Sequence, residues 1–222
     1  VYLGLRGGSN LRALARNFSL EELPHAVAYA HEKRVKVYLT LNTYPHDGQY
    51  VVLPDPIHAA WDTGIDAVIV SDIGVLSMVK RLAPSVPLHL STQANAVSSH
   101  AVNAWAGLGV SRVILARELS CGEIETIRRN TRCELEVFIH GSVCISLSGR
   151  CLISDYLAHR GANQGQCTQP CRWDYAMVER TRAGQYMPVG EEDGFTFLYN
   201  SKDLCLLPVF EKVMALGLDG LK

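Results

Sequence analysis

The sequence predicts an α/β fold of the (β/α)8 barrel type, incomplete at both termini, with a Cys-rich insertion after the sixth strand. Three observations predict it. Short apolar runs recur, their starts 21 to 34 residues apart, each followed by a helical pattern. The runs are nearly continuous in Val, Ile and Leu, as in parallel sheets buried on both faces. Polar residues gather where these runs end, which is the edge where parallel α/β folds build their sites.

The strand-like runs are 1–5, 35–41, 67–70, 88–90, 112–115 and 135–139, and "ALGLDGLK" predicts another strand beginning near Gly220. Ser19 and Glu22 are spaced as a capping box for a helix to about Lys33, with Pro24 in its opening turns. Ser120 and Glu123 form a second box, opening a helix through Arg129. "DTGIDA" and "GLGV" are glycine stops that lead into strands. Six β-α units in line favour a barrel over a doubly wound sheet. No G-x-G-x-x-G follows the first strand, where "LRGGSN" is only glycine-containing. The chain opens on a strand-like run and closes on another, so segments of a longer protein are expected on both sides. Barrel units are expected over 1–141, a metal-binding insertion over 142–199 and a return to the barrel over 200–222, all in one domain.

The 222 residues are 48% hydrophobic and 19% charged, as in a globular protein. A net charge of −1 excludes a global nucleic-acid or membrane-surface attraction, though not a local basic patch. No apolar run approaches the length of a membrane span. Seven cysteines in a chain too large to need disulfide staples suggest reduced thiols and a cytoplasmic protein.

The polar strand ends are Asn42, Ser71, Asp72, Ser91, Thr92, Gln93, Arg117, Glu118 and His140. Directly after His140 comes a segment holding Cys144, Cys151, Cys167 and Cys171 among several glycines. Four thiolates close a tetrahedral Zn²⁺ site or hold an iron–sulfur cluster. Spacing alone does not choose between them, although no C-x2-C knuckle pair is present. Cys205 is an alternative fourth ligand, and Cys121 and Cys133 are core or surface thiols. From Cys144 to Arg182 the acidic and basic residues sum to +2, with Arg150, Arg160, Arg172, Arg180 and Arg182 against Asp155, Asp174 and Glu179. Arginine forks suit carboxylate or phosphate, and Trp173 and Tyr175 could stack a base. Asn200, Ser201, Lys202 and Asp203 precede a helical pattern, with Asp203 expected as its N-cap and Lys202 as a weak anion contact.

"EVFIHGSVCISLSGRCLIS" at 136–154 resembles the signature of the collagenase-like peptidase family U-32, matching at Glu136, Phe138, Gly141, Ser142, Cys144, Gly149, Cys151 and Ser154. "LNTYPHDG", "VSDIGVL", "LSTQAN", "ANQGQCTQPCRWDY" and "NSKDL" are further family-like stretches, so the resemblance covers essentially the whole chain. The family name implies a peptidase of unknown mechanism. Several members resemble instead iron–sulfur proteins that hydroxylate a tRNA uridine, an rRNA cytidine or a ubiquinone precursor, some with prephenate as oxygen donor. The resemblance implies a [4Fe–4S] cluster on Cys144, Cys151, Cys167 and Cys171, with Cys205 open as the fourth ligand and Zn²⁺ as the alternative metal.

A peptidase needs an activated nucleophile or a metal-bound water. No G-x-S-x-G or H-E-x-x-H occurs, and a cysteine with His140 or His159 would have to serve. The expectation is therefore an iron–sulfur-dependent hydroxylase acting on tRNA or rRNA. His140, Arg117 and Glu118 are its catalytic candidates. Arg12, Arg150 and Arg172 would bind anions, with Arg12 and Arg117 suited to a dicarboxylate donor. A peptidase acting on protein or peptide is the alternative, and a non-catalytic binding protein a third class. A homologous family partner subunit is a further expectation.

Overall fold

A computed structural model describes residues 1–7, 9–144, 146–173, 175–178, 180–181, 183–184, 186–188, 191–192, 195–196 and 203–222. The expectations for Asp174, Glu179, Arg182, Asn200, Ser201 and Lys202 lie outside the described residues.

Seven strands pair in parallel to form one sheet. They are β1 (Tyr2–Leu3), β2 (Tyr38–Leu41), β3 (Ala67–Val70), β4 (Leu88–Leu90), β5 (Arg112–Ile114), β6 (Glu134–Val137) and, after a long connection, a last strand at Gly220–Leu221. Their order in space is their order in the chain. A doubly wound sheet reverses its strand order at a switch point, and this one does not. The helices between strands are α1 (Leu23–Glu32), α2 (Pro54–Thr63), α3 (Ile73–Leu82), α4 (Ser99–Gly107) and α5 (Cys121–Arg129). The connection holds β7 (His140–Gly141), α6 (Ile153–Ala158), β8 (Ala176–Val178), β9 (Tyr186–Pro188), β10 (Glu191–Glu192), β11 (Phe195–Thr196), β12 (Leu204–Cys205) and α7 (Phe210–Met214), which makes the last sheet strand β13. No helix among the described residues is long and apolar enough to cross a membrane.

Strands β3 and β4 are buried on both faces, as expected, but across the sheet the two faces differ in polarity. Leu39 and Leu41, Val68 and Val70, Leu88 and Leu90, Val113, and Leu135 and Val137 belong to one apolar core. Val27 of α1, Ile57 of α2, Val79 of α3, Val102 of α4 and Ile127 of α5 join them. The alternate positions include Tyr2, Tyr38, His89, Arg112 and Glu136 beside the apolar Ala67, Ile69 and Ile114, because side chains on a strand alternate with period two. Tyr38 stacks edge-on against both Tyr2 and His89. Tyr2 of β1 donates a hydrogen bond to Glu136 of β6, with four strands between them in the order, so the sheet is curled into a half-barrel with this polar face inside.

Local signals were accurate where they are self-contained. Ser120 and Glu123 form a reciprocal capping box at the start of α5, and Gly64 ends α2 at φ 69°. Ser19 and Glu22 also bond reciprocally, but the α-helix begins one turn later, at Leu23. The strand-like run at 135–139 stops at Val137, and His140 lies instead on β7, which pairs antiparallel with β12.

Candidate functional site

The C-terminal edge of the sheet is a polar shelf. Asn42 follows β2, accepts from the Leu11 N–H at 3.2 Å and donates to Ser91 Oγ at 3.3 Å. Ser71 donates to the Asn42 carbonyl at 3.1 Å. Asp72 caps α3 by accepting from the N–H groups of Gly74 and Val75, and Ser91 caps the 3₁₀ turn at Thr92–Ala94. These strand-end groups thus hold one another and the helix starts behind them.

The cysteine-bearing segment is fastened to this shelf at several points. Arg117 Nη1 donates to the Ser142 carbonyl at 2.8 Å. The Glu118 carboxylate accepts from the backbone N–H and the hydroxyl of Ser148. Ser148 is fully buried and sits at φ 44°, a left-handed conformation that costs energy for a residue with a Cβ. Its hydroxyl also lies 3.0 Å from Asn95 Oδ1, so the one proton is shared between that oxygen and the Glu118 carboxylate. Asn163 grips Cys151 from both sides, accepting from its N–H at 3.3 Å and donating to its carbonyl at 3.4 Å. The Asn163 carbonyl in turn accepts from the Tyr44 N–H at 3.0 Å. Gly165, at φ +84°, passes so close to the Asn10 carbonyl that any Cβ there would collide with it.

These anchors hold four thiols in electrostatic reach of one another. Burial pushes the Cys171 thiol up, and the neighbouring thiols of Cys144, Cys167 and Cys151 push it further. Burial likewise raises Cys167, opposed by the Gln169 N–H donating to its sulfur at 3.4 Å, with Cys144 and Cys151 adding to the rise. Cys205 lies opposite His140 in the β7–β12 ladder. Among the described residues, no three His, Cys, Asp or Glu side chains converge as ligands of one metal ion. Four soft thiols suit either a tetrahedral Zn²⁺ or an iron–sulfur cluster.

The remaining candidates divide. Arg150 lies over the Tyr44 ring, 5.6 Å from its centroid, and is exposed. Arg172 is ion-paired with Asp203 at 3.0 Å. Asp203 is therefore no helix N-cap; it precedes β12, where the chain is extended. His140 and His159 are both exposed, and no hydrogen bond among the described residues joins a cysteine to a histidine. His140 lies on an extended strand, so the single turn that would bring it to Cys144 does not form. Glu118 is engaged as an anchor of the cysteine segment. Arg12 is exposed on the loop after β1.

Sequence reasoning missed Ser148, Asn163 and Lys222, and took Glu136 only as a signature position. For Glu136 a signal existed: the alternation in "ELEV" puts both glutamates on one face of β6. For Ser148 and Asn163 none did, since a polar residue in a loop announces no partner.

A family model described as Peptidase family U32 matches residues 1–222. The chain is 38% identical over 212 residues to tRNA hydroxylation protein P1 of Bacillus subtilis, covering 96% of this chain and 50% of that protein. It is 36% identical over 179 residues to the 23S rRNA 5-hydroxycytidine C2501 synthase of Escherichia coli, covering 81% of this chain and 27% of that protein. The chain thus spans half of the first relative's length. The solved structure of the U32 peptidase Mk0906 superimposes with a TM-score of 0.54 at 16% identity, covering 64% of this chain and 61% of that one. At that identity the likeness speaks to the fold alone.

Proposed function

The chain belongs to peptidase family U32, and from that membership we propose that it works in iron–sulfur-dependent hydroxylation of a base in tRNA, with rRNA as the second substrate class. The single observation that carries this reading is the grouping of Cys144, Cys151, Cys167 and Cys171 beside the C-terminal edge of the sheet. The names of the relatives supply the reaction class.

In this reading the four cysteines hold a [4Fe–4S] cluster. When bound, the cluster supplies electron transfer or Lewis acidity. Arg117, Glu118 and Asn163 fix the segment that carries it. The N–H of Gln169 tunes the Cys167 sulfur, as hydrogen bonds to cluster sulfurs do. Arg150, braced on Tyr44, contacts RNA phosphate, and exposed Trp173 and Tyr156 are platforms for an unstacked base. Prephenate is the oxygen donor that the family resemblance suggests. The curled sheet is part of a (β/α)8 barrel, and 142–199 is its cysteine-rich insertion. The peptidase reading rests on the name of the family, and the turn that would bring His140 to Cys144 does not form.

The test is anaerobic purification of the full-length protein with iron, sulfide and zinc quantification, joined to mass spectrometry of nucleosides from cells with and without the gene. Brown protein with about four irons per chain and one hydroxylated nucleoside lost with the gene are expected. Colourless, zinc-loaded or metal-free protein overturns the cluster, and unchanged nucleosides overturn the RNA assignment.

A further inference from the structure

Gln93 is a buried residue of the polar shelf whose side chain has no partner. It sits in the 3₁₀ turn Thr92–Ala94 that follows β4, and it is 8% exposed. Its backbone is held on both sides: the N–H donates to Ser91 Oγ at 3.4 Å, and the carbonyl accepts from the Tyr44 hydroxyl. The flanking residues are fixed as well. Thr92 Oγ1 donates to the Leu115 carbonyl at 3.0 Å, and Asn95, at φ 56°, meets Ser148 of the cysteine segment. Yet the Gln93 carboxamide makes no hydrogen bond among the described residues, and its Oε1 is buried. A buried amide oxygen left unpaired is costly. A fixed backbone beneath an unpaired polar end suits a side chain held ready for a ligand.

The surroundings narrow the ligand. Tyr44, which holds the Gln93 carbonyl, also donates its N–H to the Asn163 carbonyl at 3.0 Å and carries Arg150 over its ring. Gln93 is thus joined through Tyr44 to the arginine proposed to meet RNA phosphate, and through Tyr44 and Asn163 to Cys151. A carboxamide is uncharged and presents an acceptor and a donor side by side. It selects a neutral edge that offers the same pair reversed, as the Watson–Crick edge of an unstacked base does. Uracil answers best. Its N3–H stands between two carbonyls, so Oε1 receives a donor and Nε2 an acceptor whichever way the ring is turned.

We propose that Gln93 reads the imide edge of an unstacked uracil at the shelf, with Oε1 accepting from N3–H and Nε2 donating to a flanking carbonyl. This rests on the RNA reading above and names the residue that recognises the base. Gln93 carries no step of the hydroxylation. A ring held at N3 leaves its C5–C6 side unencumbered.

Fluorescence anisotropy with two labelled RNA hexamers tests it on the anaerobically purified full-length protein. One hexamer is of uridine, the other of 3-methyluridine, in which a methyl group replaces the N3 hydrogen. The unmodified protein should bind the uridine hexamer about tenfold more tightly, as a good bidentate base contact allows. Gln93→Leu, which removes both polar atoms, and Gln93→Glu, which removes the donor, should each weaken uridine binding by about that factor. Neither should change binding of the methylated hexamer, so the two hexamers then bind alike. Iron content and the far-ultraviolet spectrum of both variants should match the unmodified protein, which separates this effect from damage to the turn or loss of the cluster. Equal binding of the two hexamers by the unmodified protein overturns the Gln93 assignment alone. So do variants that keep the difference, or that weaken both hexamers in equal proportion. No binding of either hexamer overturns the assignment together with the RNA reading.

Discussion

Tyr2 and Glu136 lie on strands β1 and β6, and the phenol of one donates a hydrogen bond to the carboxylate of the other. Glu136 is 2% exposed, and Arg112 reaches the same carboxylate at 3.4 Å. On its far side Gly220 leaves no room for a Cβ without pressing on the Glu136 side chain. A buried carboxylate costs several kcal/mol unless it is paired and hydrogen-bonded, so these donors are what allow it inside the curl. Burial first, then the bond to Glu136, raises the Tyr2 phenol, which therefore stays protonated as the donor.

Tyr2→Phe should keep the ring stack with Tyr38 and remove only the donor. A loss of about 1–3 kcal/mol in unfolding free energy is expected from leaving one lone pair of a buried carboxylate unmet. Denaturant unfolding of the two proteins measures it. An unchanged midpoint would show that the bond contributes nothing net.

His89 makes stability depend on pH. Its ring is buried against Tyr38, its Nδ1 has no partner, and burial, Arg112 and Lys36 pull its pKa down to about 4. Between that value and the ordinary 6.5 the unfolded chain binds more protons at this residue than the folded one does. The stability is therefore fully present above pH 6.5 and is lost as pH falls through 4. The span corresponds to roughly 3 kcal/mol. His89→Leu should flatten the slope of stability against pH over that window. Urea midpoints at several acidic pH values, compared between the two proteins, would detect a slope that persists and so refute the assignment.

Cys171 and Cys205 should differ in iron retention. Cys171 shares its surroundings with Cys144, Cys151 and Cys167, and Cys205 sits in the β7–β12 ladder. In anaerobic preparations Cys171→Ser should lose most of its iron, whereas Cys205→Ser should keep it. The reverse pattern would make Cys205 the fourth ligand.

Glu118 should behave as an anchor of the cysteine segment. Glu118→Ala leaves the buried Ser148 N–H without its acceptor and the hydroxyl with Asn95 alone. Iron should leave to a chelator several times faster than from the unmodified protein, while the far-ultraviolet spectrum stays the same. Ser148→Gly, which accepts φ 44° without strain but loses the hydroxyl, should lie between the two. Equal rates in all three proteins would return Glu118 to the list of groups free for chemistry.

The sheet was legible because each strand declares itself within four or five residues. Ala67–Val70 and Leu88–Leu90 have the boundaries the apolar runs gave, and Gly220 opens the last strand as its sequence suggested. The cysteine spacing and the signature around Cys144 and Cys151 pointed to a thiol site. The ends of the 135–139 run misled, because a chain can leave one sheet and join another ladder without changing its apolar character. Arg172 looked like a spare cation until Asp203, 31 residues on, closed on it.

What the sequence by itself determined is the order of units, the capping of α5 and the identity of the thiols. All of these depend on residues a few positions apart. What only the tertiary structure decided is which polar groups meet. The curl sets Tyr2 against Glu136 and Lys222 beside Arg117, and the fold of the connection closes Asn163 on Cys151. Such pairs form across strands or between loops, where geometry is fixed by the packing of the whole apolar face against its helices. No local pattern of residues encodes that geometry.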